Sequence, residues 1–158
     1  MKCLIIDDDK DFSQYLGKYV EKFLSDVFKK YEIKIQNDHF TEMSIYNNID
    51  LLFIDIDLNN ISGIGIIKQL ENKECNFPII YVSSRKELVF SSLSTHPFYF
   101  IRKQNLEKDI KELFRLLDIY YKKIPAEKNI GKLALFLSFF LCCLPFLQAH
   151  RMLPFGFP

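Results

Sequence analysis

Asp7 and Asp8 follow the first apolar run of this chain, and Asp55 closes a later one at 51–54. Ser83 ends a third run at 78–82, and Lys103 stands just past a fourth at 98–101. Each polar residue alone has an ordinary explanation, since polar side chains commonly follow strands. Three carboxylates, a hydroxyl and an ammonium at the ends of successive runs are harder to dismiss. Carboxylates brought together from neighbouring elements repel and raise one another's pKa unless a cation intervenes. Hard oxygen ligands of this kind suit Mg²⁺, which is held by one or two carboxylates and keeps several waters. With such an ion in place, one carboxylate is free to attack a phosphoryl group, while the hydroxyl and the lysine engage its oxygens. The chemistry these parts suit is phosphorylation of an aspartate.

Such a site needs elements that end on one edge. The run KCLII (2–6) is continuous rather than alternating, as expected for a strand covered on both faces. Phe12, Leu16, Tyr19, Phe23 and Val27 then recur at helical spacing. YEIKIQN (31–37) alternates and predicts a more exposed strand, and residues 41–48 suggest a short helix. LLFI (51–54) predicts a third strand, followed by a loop up to Gly63 and a helix carrying Ile64, Ile67 and Leu70. PIIYV (78–82) and FYFI (98–101) predict the last two strands, with a short helix at 86–94 between them. Leu106, Ile110, Leu113 and Leu117 mark a final amphipathic helix. Asn105 is expected at its N-cap, Glu107 and Asp109 in its first turn, and Lys122 and Lys123 at its end. Pro125 closes it. The alternation implies an α/β domain, doubly wound, with a parallel sheet. In such folds, ligands bind outside the carboxyl ends of the strands.

The chain of 158 residues suits one domain with an extension, and 16 Phe and 8 Tyr supply a core. A formal charge of +1 gives no electrostatic sign of a nucleic-acid partner. Cys3, Cys75, Cys142 and Cys143 lack metal-ligand spacing and are expected to be free thiols in a reducing compartment. His39, His96 and His150 show no mutual spacing for a metal site. The apolar run at the N-terminus is too short for a signal peptide, so a cytoplasmic protein is expected.

LIIDDD (4–9), FIDIDLNNISG (53–63), IIYVSS (79–84) and FYFIRK (98–103) resemble the four motifs of receiver domains of bacterial two-component response regulators. The match covers residues 1 to about 122, and Gly63 lies eight residues after Asp55, as the family pattern has it. PFYFIRKQNL further resembles the receivers of LytTR-type regulators. The resemblance implies a flavodoxin-like (βα)5 fold with strand order 2-1-3-4-5. It implies Asp55 as phospho-acceptor, Asp8 and Asp55 as Mg²⁺ ligands, Asp7 supporting the metal through water, and the backbone carbonyl of Asp57 completing the protein ligands. It places Ser83 and Lys103 on the phosphoryl group, with Ser83 and Phe100 as switch residues. The implied phosphodonor partner is a sensor histidine kinase, and the implied dimer face is the last two helices with the fifth strand. The role is a signalling domain rather than an enzyme. Two positions depart from the pattern, because Asn59 and Gln104 stand where many receivers carry proline. A cis bond before a non-proline residue costs about 2.5–4 kcal/mol, so the sequence leaves the shape of the Lys103–Gln104 loop open.

Asp55-x-Asp57 also resembles the nucleophile motif of haloacid-dehalogenase-like phosphatases, a reading that leaves Asp7 and Asp8 without a task. A third reading is a receiver-like adaptor that is not phosphorylated, which would leave costly charges unused. The domain is expected to span residues 1–124. Beyond it, residues 125–158 form a hydrophobic tail with an uncharged apolar run at 133–147, short of the ~18–20 residues that span a bilayer. A truncated or frame-shifted gene end is the preferred explanation, ahead of membrane association or of a helix packing on the receiver or a partner. No DNA-reading module is present in this sequence, and DNA binding by this chain alone is not expected.

Overall fold

The computed structural model describes residues 1–71 and 77–122. Cys75, Cys142, Cys143, His150, Lys123, Pro125 and the apolar run at 133–147 lie outside these described residues. Met1–Arg115 form one compact unit, and of the second, Leu116–Pro158, residues 116–122 are described and helical.

Five parallel strands make the central sheet: β1 (Lys2–Ile6), β2 (Glu32–Gln36), β3 (Leu51–Asp55), β4 (Ile79–Ser83) and β5 (Tyr99–Arg102). Their spatial order is β2-β1-β3-β4-β5, the order 2-1-3-4-5 expected of the flavodoxin-like fold. Every residue of β3 and β4 is buried, which is why their sequences are continuous apolar runs rather than alternating ones. β2 lies at the edge and buries none of its residues fully. Leu4, Ile6, Leu52, Ile54 and Tyr81 join Ile64, Ile66, Ile67 and Leu70 of the helix after β3 in one core cluster.

Helix α1 (Lys10–Val27) starts where Asp9 accepts from the amides of Asp11 and Phe12, a side-chain N-cap. Its buried face is Ser13, Leu16, Gly17, Val20, Phe23 and Leu24. That face is rotated from the expected stripe: Leu16 and Phe23 are buried, but Val27 is 38% exposed and Tyr19 is only half-buried. Ser13 and Gly17 carry little apolar signal, yet small residues are what allow the helix to approach β2 closely. A methyl group on Gly17 would meet Ile35 at 3.2 Å.

Helix α2 (Gly63–Glu71) follows β3 as expected. The helix anticipated at 41–48 is instead a single 3₁₀ turn, Met43–Tyr46, anchored by the Tyr46 hydroxyl donating to the Phe40 carbonyl at 2.7 Å. That segment is too short and too polar to pay the nucleation cost of an α-helix. The helix anticipated at 86–94 is broken into a 3₁₀ turn (Lys86–Leu88), a one-turn helix α3 (Val89–Ser92) and a second 3₁₀ turn (Leu93–Thr95). Ser92 and Thr95 there donate to carbonyls three residues back, which favours the tighter turn. Helix α4, residues 106–115 of the first unit, continues as helical residues to 122. Asn105 stands directly before its first residue and is the last residue of a 3₁₀ turn, Lys103–Asn105, that leads into the helix.

Candidate functional site

The carboxyl ends of β1, β3 and β5 meet at one edge. Asp7, Asp8 and Asp55 each present a carboxylate oxygen there, and these oxygens all lie within 4.8 Å of one another. Asp7 is 1% exposed and Asp55 5%. Lys103 reaches across from the turn after β5, placing Nζ 2.6 Å from Asp55 Oδ2 and 2.8 Å from Asp7 Oδ2. Nζ donates to Asp7 Oδ1 at 3.0 Å, whereas Asp7 Oδ2, though close, makes no hydrogen bond. The Lys103 ammonium also lies over the ring of Phe12, with Nζ 4.6 Å from its centre.

Burial is the dominant electrostatic effect. It pushes the Asp7 carboxyl from 3.8 to about 6 against the lowering influence of Lys103, with the Asp55 charge adding to the rise. Asp55 is raised for the same first reason, offset by Lys103 and by the amides of Asp57 and Ile56. Burial pulls Lys103 down, but its hydrogen bonds to Asp55 and Asp7 outweigh this and leave it raised. One ammonium therefore faces three carboxylates, and the site carries surplus negative charge.

The backbone around Asp55 is tightly built. Asp57 N–H donates to Asp55 Oδ1 at 3.2 Å, and Gly63 N–H donates to the Ile56 carbonyl at 2.8 Å. A Cβ on Gly63 would stand 2.1 Å from the Asp55 carbonyl oxygen, so glycine is required by close approach rather than by a turn angle. The loop expected between Asp55 and Gly63 is a small antiparallel hairpin, Asp57–Leu58 against Ile61–Ser62. Its two linking residues, Asn59 and Asn60, both have positive φ, the signature of a type I′ turn. Asn59 N–H donates to Asp8 Oδ2 at 3.1 Å, tying this hairpin to the β1 loop.

Of the residues singled out from sequence, Asp7, Asp8, Asp55 and Lys103 are brought together. Ser83, 1% exposed, lies one position beyond Val82, the register partner of Asp55 on β4, and its hydroxyl accepts from Arg85 N–H at 3.0 Å. Phe100 sits further back on β5, beside Tyr81 and packed on the core cluster. The Asp57 carboxylate turns outward, half-exposed, to within 3.5 Å of Arg85. It pairs with Arg85, whereas the clustered carboxylates are those of Asp7, Asp8 and Asp55, so the second carboxylate of the dehalogenase-like motif is not one of that cluster. The two adjacent cations divide cleanly: Lys103 faces the carboxylates, and Arg102 turns to Asp109.

Sequence reasoning passed over Asn37. Its amide donates to the Asp7 carbonyl at 2.6 Å and to Ser13 Oγ at 2.9 Å, holding the β1 end in place. It stands just past β2 on the same edge, so asking what each strand ends with would have found it.

Comparison with known proteins identifies the family. The heme response regulator HssR of Staphylococcus saprophyticus is 27% identical over 148 residues, 84% of this chain and 58% of that protein. The sensory transduction protein LytR of Staphylococcus epidermidis is 25% identical over 122 residues, 75% of this chain and 46% of that protein. The chain thus spans about half the length of these curated relatives. A two-component response regulator from Clostridium difficile superposes with a TM-score of 0.57 at 27% identity, over 74% of this chain and 95% of that structure. Residues 3–115 match the family described as the response regulator receiver domain, the same stretch that builds the sheet and its acidic edge, and the chain belongs to that family.

Proposed function

We propose that this receiver domain takes a phosphoryl group on Asp55 from a sensor histidine kinase and signals by the rearrangement that follows. The observation that carries the proposal is the cluster itself. Asp55 is buried, in contact with Lys103 at 2.6 Å, and lies among two further carboxylates. Charges of this density are costly to hold unless they are used.

The donor set fits a hard divalent cation. Its atoms are carboxylate oxygens, and Asp7 Oδ2 is buried with no hydrogen bond of its own. Asp8 and Asp55 would hold Mg²⁺ directly, with Asp7 supporting it through water and the Asp57 carbonyl completing the protein ligands. Mg²⁺, when bound, neutralises charge on the incoming phosphoryl group and on the acceptor. The chain supplies the rest. One Asp55 carboxylate oxygen attacks phosphorus in line with the donor. The new O–P bond forms as the donor's bond to phosphorus breaks, and the electron pair departs with the donor. Asp57 N–H orients the carboxylate, and Lys103 passes from Asp55 to a phosphoryl oxygen. The Ser83 hydroxyl gives up its bond with Arg85 N–H and donates to another.

The role is that of a cytoplasmic signalling domain and not of a turnover enzyme. Its partners are the kinase and, through α3, β5 and α4, a second copy. The chain alone binds no DNA. No helix among the described residues is long and apolar enough to cross a membrane. Incubation with acetyl phosphate and Mg²⁺ should add one acid-stable, alkali-labile phosphoryl group. Asp55→Asn should abolish it, and undiminished labelling of that variant would refute the assignment.

A further inference from the structure

Lys103 lies in a short turn that has little to hold it. Lys103–Asn105 is a 3₁₀ turn whose N-cap, Arg102, offers no side-chain capping bond, and 3₁₀ hydrogen bonds are poor. The lysine stem is flexible, with an ammonium that has no preferred fork geometry. Ion pairs with Asp55 and Asp7 engage its ammonium, but where the turn itself sits is set by its neighbours in the chain.

Both neighbours are tied to other elements. On one side, Arg102 is gripped by Asp109 of α4. The Asp109 carboxylate accepts from Arg102 N–H at 3.0 Å, from Nε at 2.8 Å and from a terminal guanidinium nitrogen at 2.6 Å. The Asp109 side chain is 7% exposed and that of Arg102 41%, so this is a bidentate, charge-assisted contact at the margin of the core, with the carboxylate covered and the guanidinium partly in water. On the other side, Gln104 donates its side-chain amide to the Ser84 carbonyl at 2.7 Å, at the residue that follows Ser83 and the end of β4. Lys103 is thus the middle residue of a bracket closed onto α4 and onto the end of β4.

We propose that Asp109 and Gln104 are positioning residues, which fix the turn after β5 and thereby hold the Lys103 ammonium on Asp55. The inference rests on the role given above to Lys103. Asp109 acts through Arg102 and bears on the lysine's placement. Gln104 additionally joins that placement to the end of β4, where Ser83 stands, so that the two groups engaging the phosphoryl oxygens are set together.

The test is a mutant cycle on the full chain, reading the rate of phosphorylation from acetyl phosphate with Mg²⁺. Asp109→Asn, Arg102→Lys and Gln104→Ala are each made with Lys103 present and in a Lys103→Met background. A misplacement of one ångström in a catalytic group costs up to about a hundredfold, so a loosened lysine should slow transfer about tenfold. Each bracket variant is expected to slow labelling with Lys103 present and to add no further loss to Lys103→Met. A general loss of stability would slow both backgrounds alike. Labelling at the parental rate in all three variants, or an equal slowing without Lys103, would overturn the proposal. Gln104 is exposed, so its variant keeps the test decisive if Asp109→Asn fails to fold. If Lys103→Met itself labelled at the parental rate, the assigned role of Lys103 would fall first, and the bracket with it.

Discussion

Asp7 shows how a functional site sets itself against stability. Its carboxyl is raised from 3.8 to about 6, chiefly by burial. Between those values the folded protein holds more protons than the unfolded chain, so stability falls as pH rises toward and through 6. The metal-free domain is therefore expected to melt at a higher temperature at pH 5.5 than at pH 7.5. The ceiling for this group alone over the full range from 3.8 to about 6 is about 3 kcal/mol, at 1.36 kcal/mol per pH unit. Of this, about 0.8 kcal/mol falls between pH 5.5 and 7.5. Asp7→Asn should remove most of the slope and stabilise the domain near neutrality. Saturating Mg²⁺ should flatten the slope in the parent as well. Thermal melts at the two pH values, with and without Mg²⁺, check this, and a melting temperature that rises with pH over the interval would contradict it.

At the scale of elements, the hairpin after β3 and the broken helix after β4 carry the local character of this receiver. Asn59 has φ 43 and donates its amide to Asp8. Proline, frequent at this position in similar domains, fixes φ near −65° and has no N–H. Asn59→Pro should thus cost about 1–3 kcal/mol and weaken Mg²⁺ binding. Asn60→Gly should stay within about 0.5 kcal/mol of the parent, because glycine adopts positive φ freely. Urea melts and a Mg²⁺ titration decide, and a proline variant as stable and as Mg²⁺-responsive as the parent would show the hairpin to be incidental. The α3 segment is one turn long, flanked by 3₁₀ turns, with Phe90 83% and Leu93 54% exposed. Elements with so little burial open most easily. Beryllofluoride with Mg²⁺ should shift NMR signals of Ser83, Phe100 and residues 86–95, with Phe100 changing rotamer. Shifts confined to the hairpin at 57–62 would mean the domain does not signal through this face.

For the whole molecule, the family match ends at residue 115, and every proposed site residue precedes it. We propose that the domain ends at 124 and that residues 125–158, which lie outside the described residues, are dispensable for the chemistry. Removing residues 126–158 should leave a folded, phosphorylatable domain of improved solubility, because the apolar run at 133–147 would otherwise meet water. Melting curves and acetyl phosphate labelling of the two forms test this. A shortened protein that melts many degrees lower, or aggregates where the full chain does not, would make the tail a structural element.

The sheet was legible from sequence because buried parallel strands must be continuous apolar runs, and KCLII, LLFI and PIIYV admit few other readings. Asp7, Asp8, Asp55 and Lys103 were legible for a related reason: polar residues that end such strands fall on one edge, whatever the helices do. Gly63 was legible as a spacing, but its cause, a carbonyl 2.1 Å from where a Cβ would be, exists only in the folded chain. Short helices escaped prediction because one or two turns have no period to read, so 41–48 and 86–94 followed their local hydrogen bonds instead. The reason Lys103 rather than Arg102 faces Asp55 is not local either. That choice depends on Asp109, seven residues away and one helical turn into α4, whose carboxylate engages Arg102 and leaves Lys103 to the site. Strand ends are set by the chain's own pattern, whereas the partner of each charge is set by what packing brings beside it.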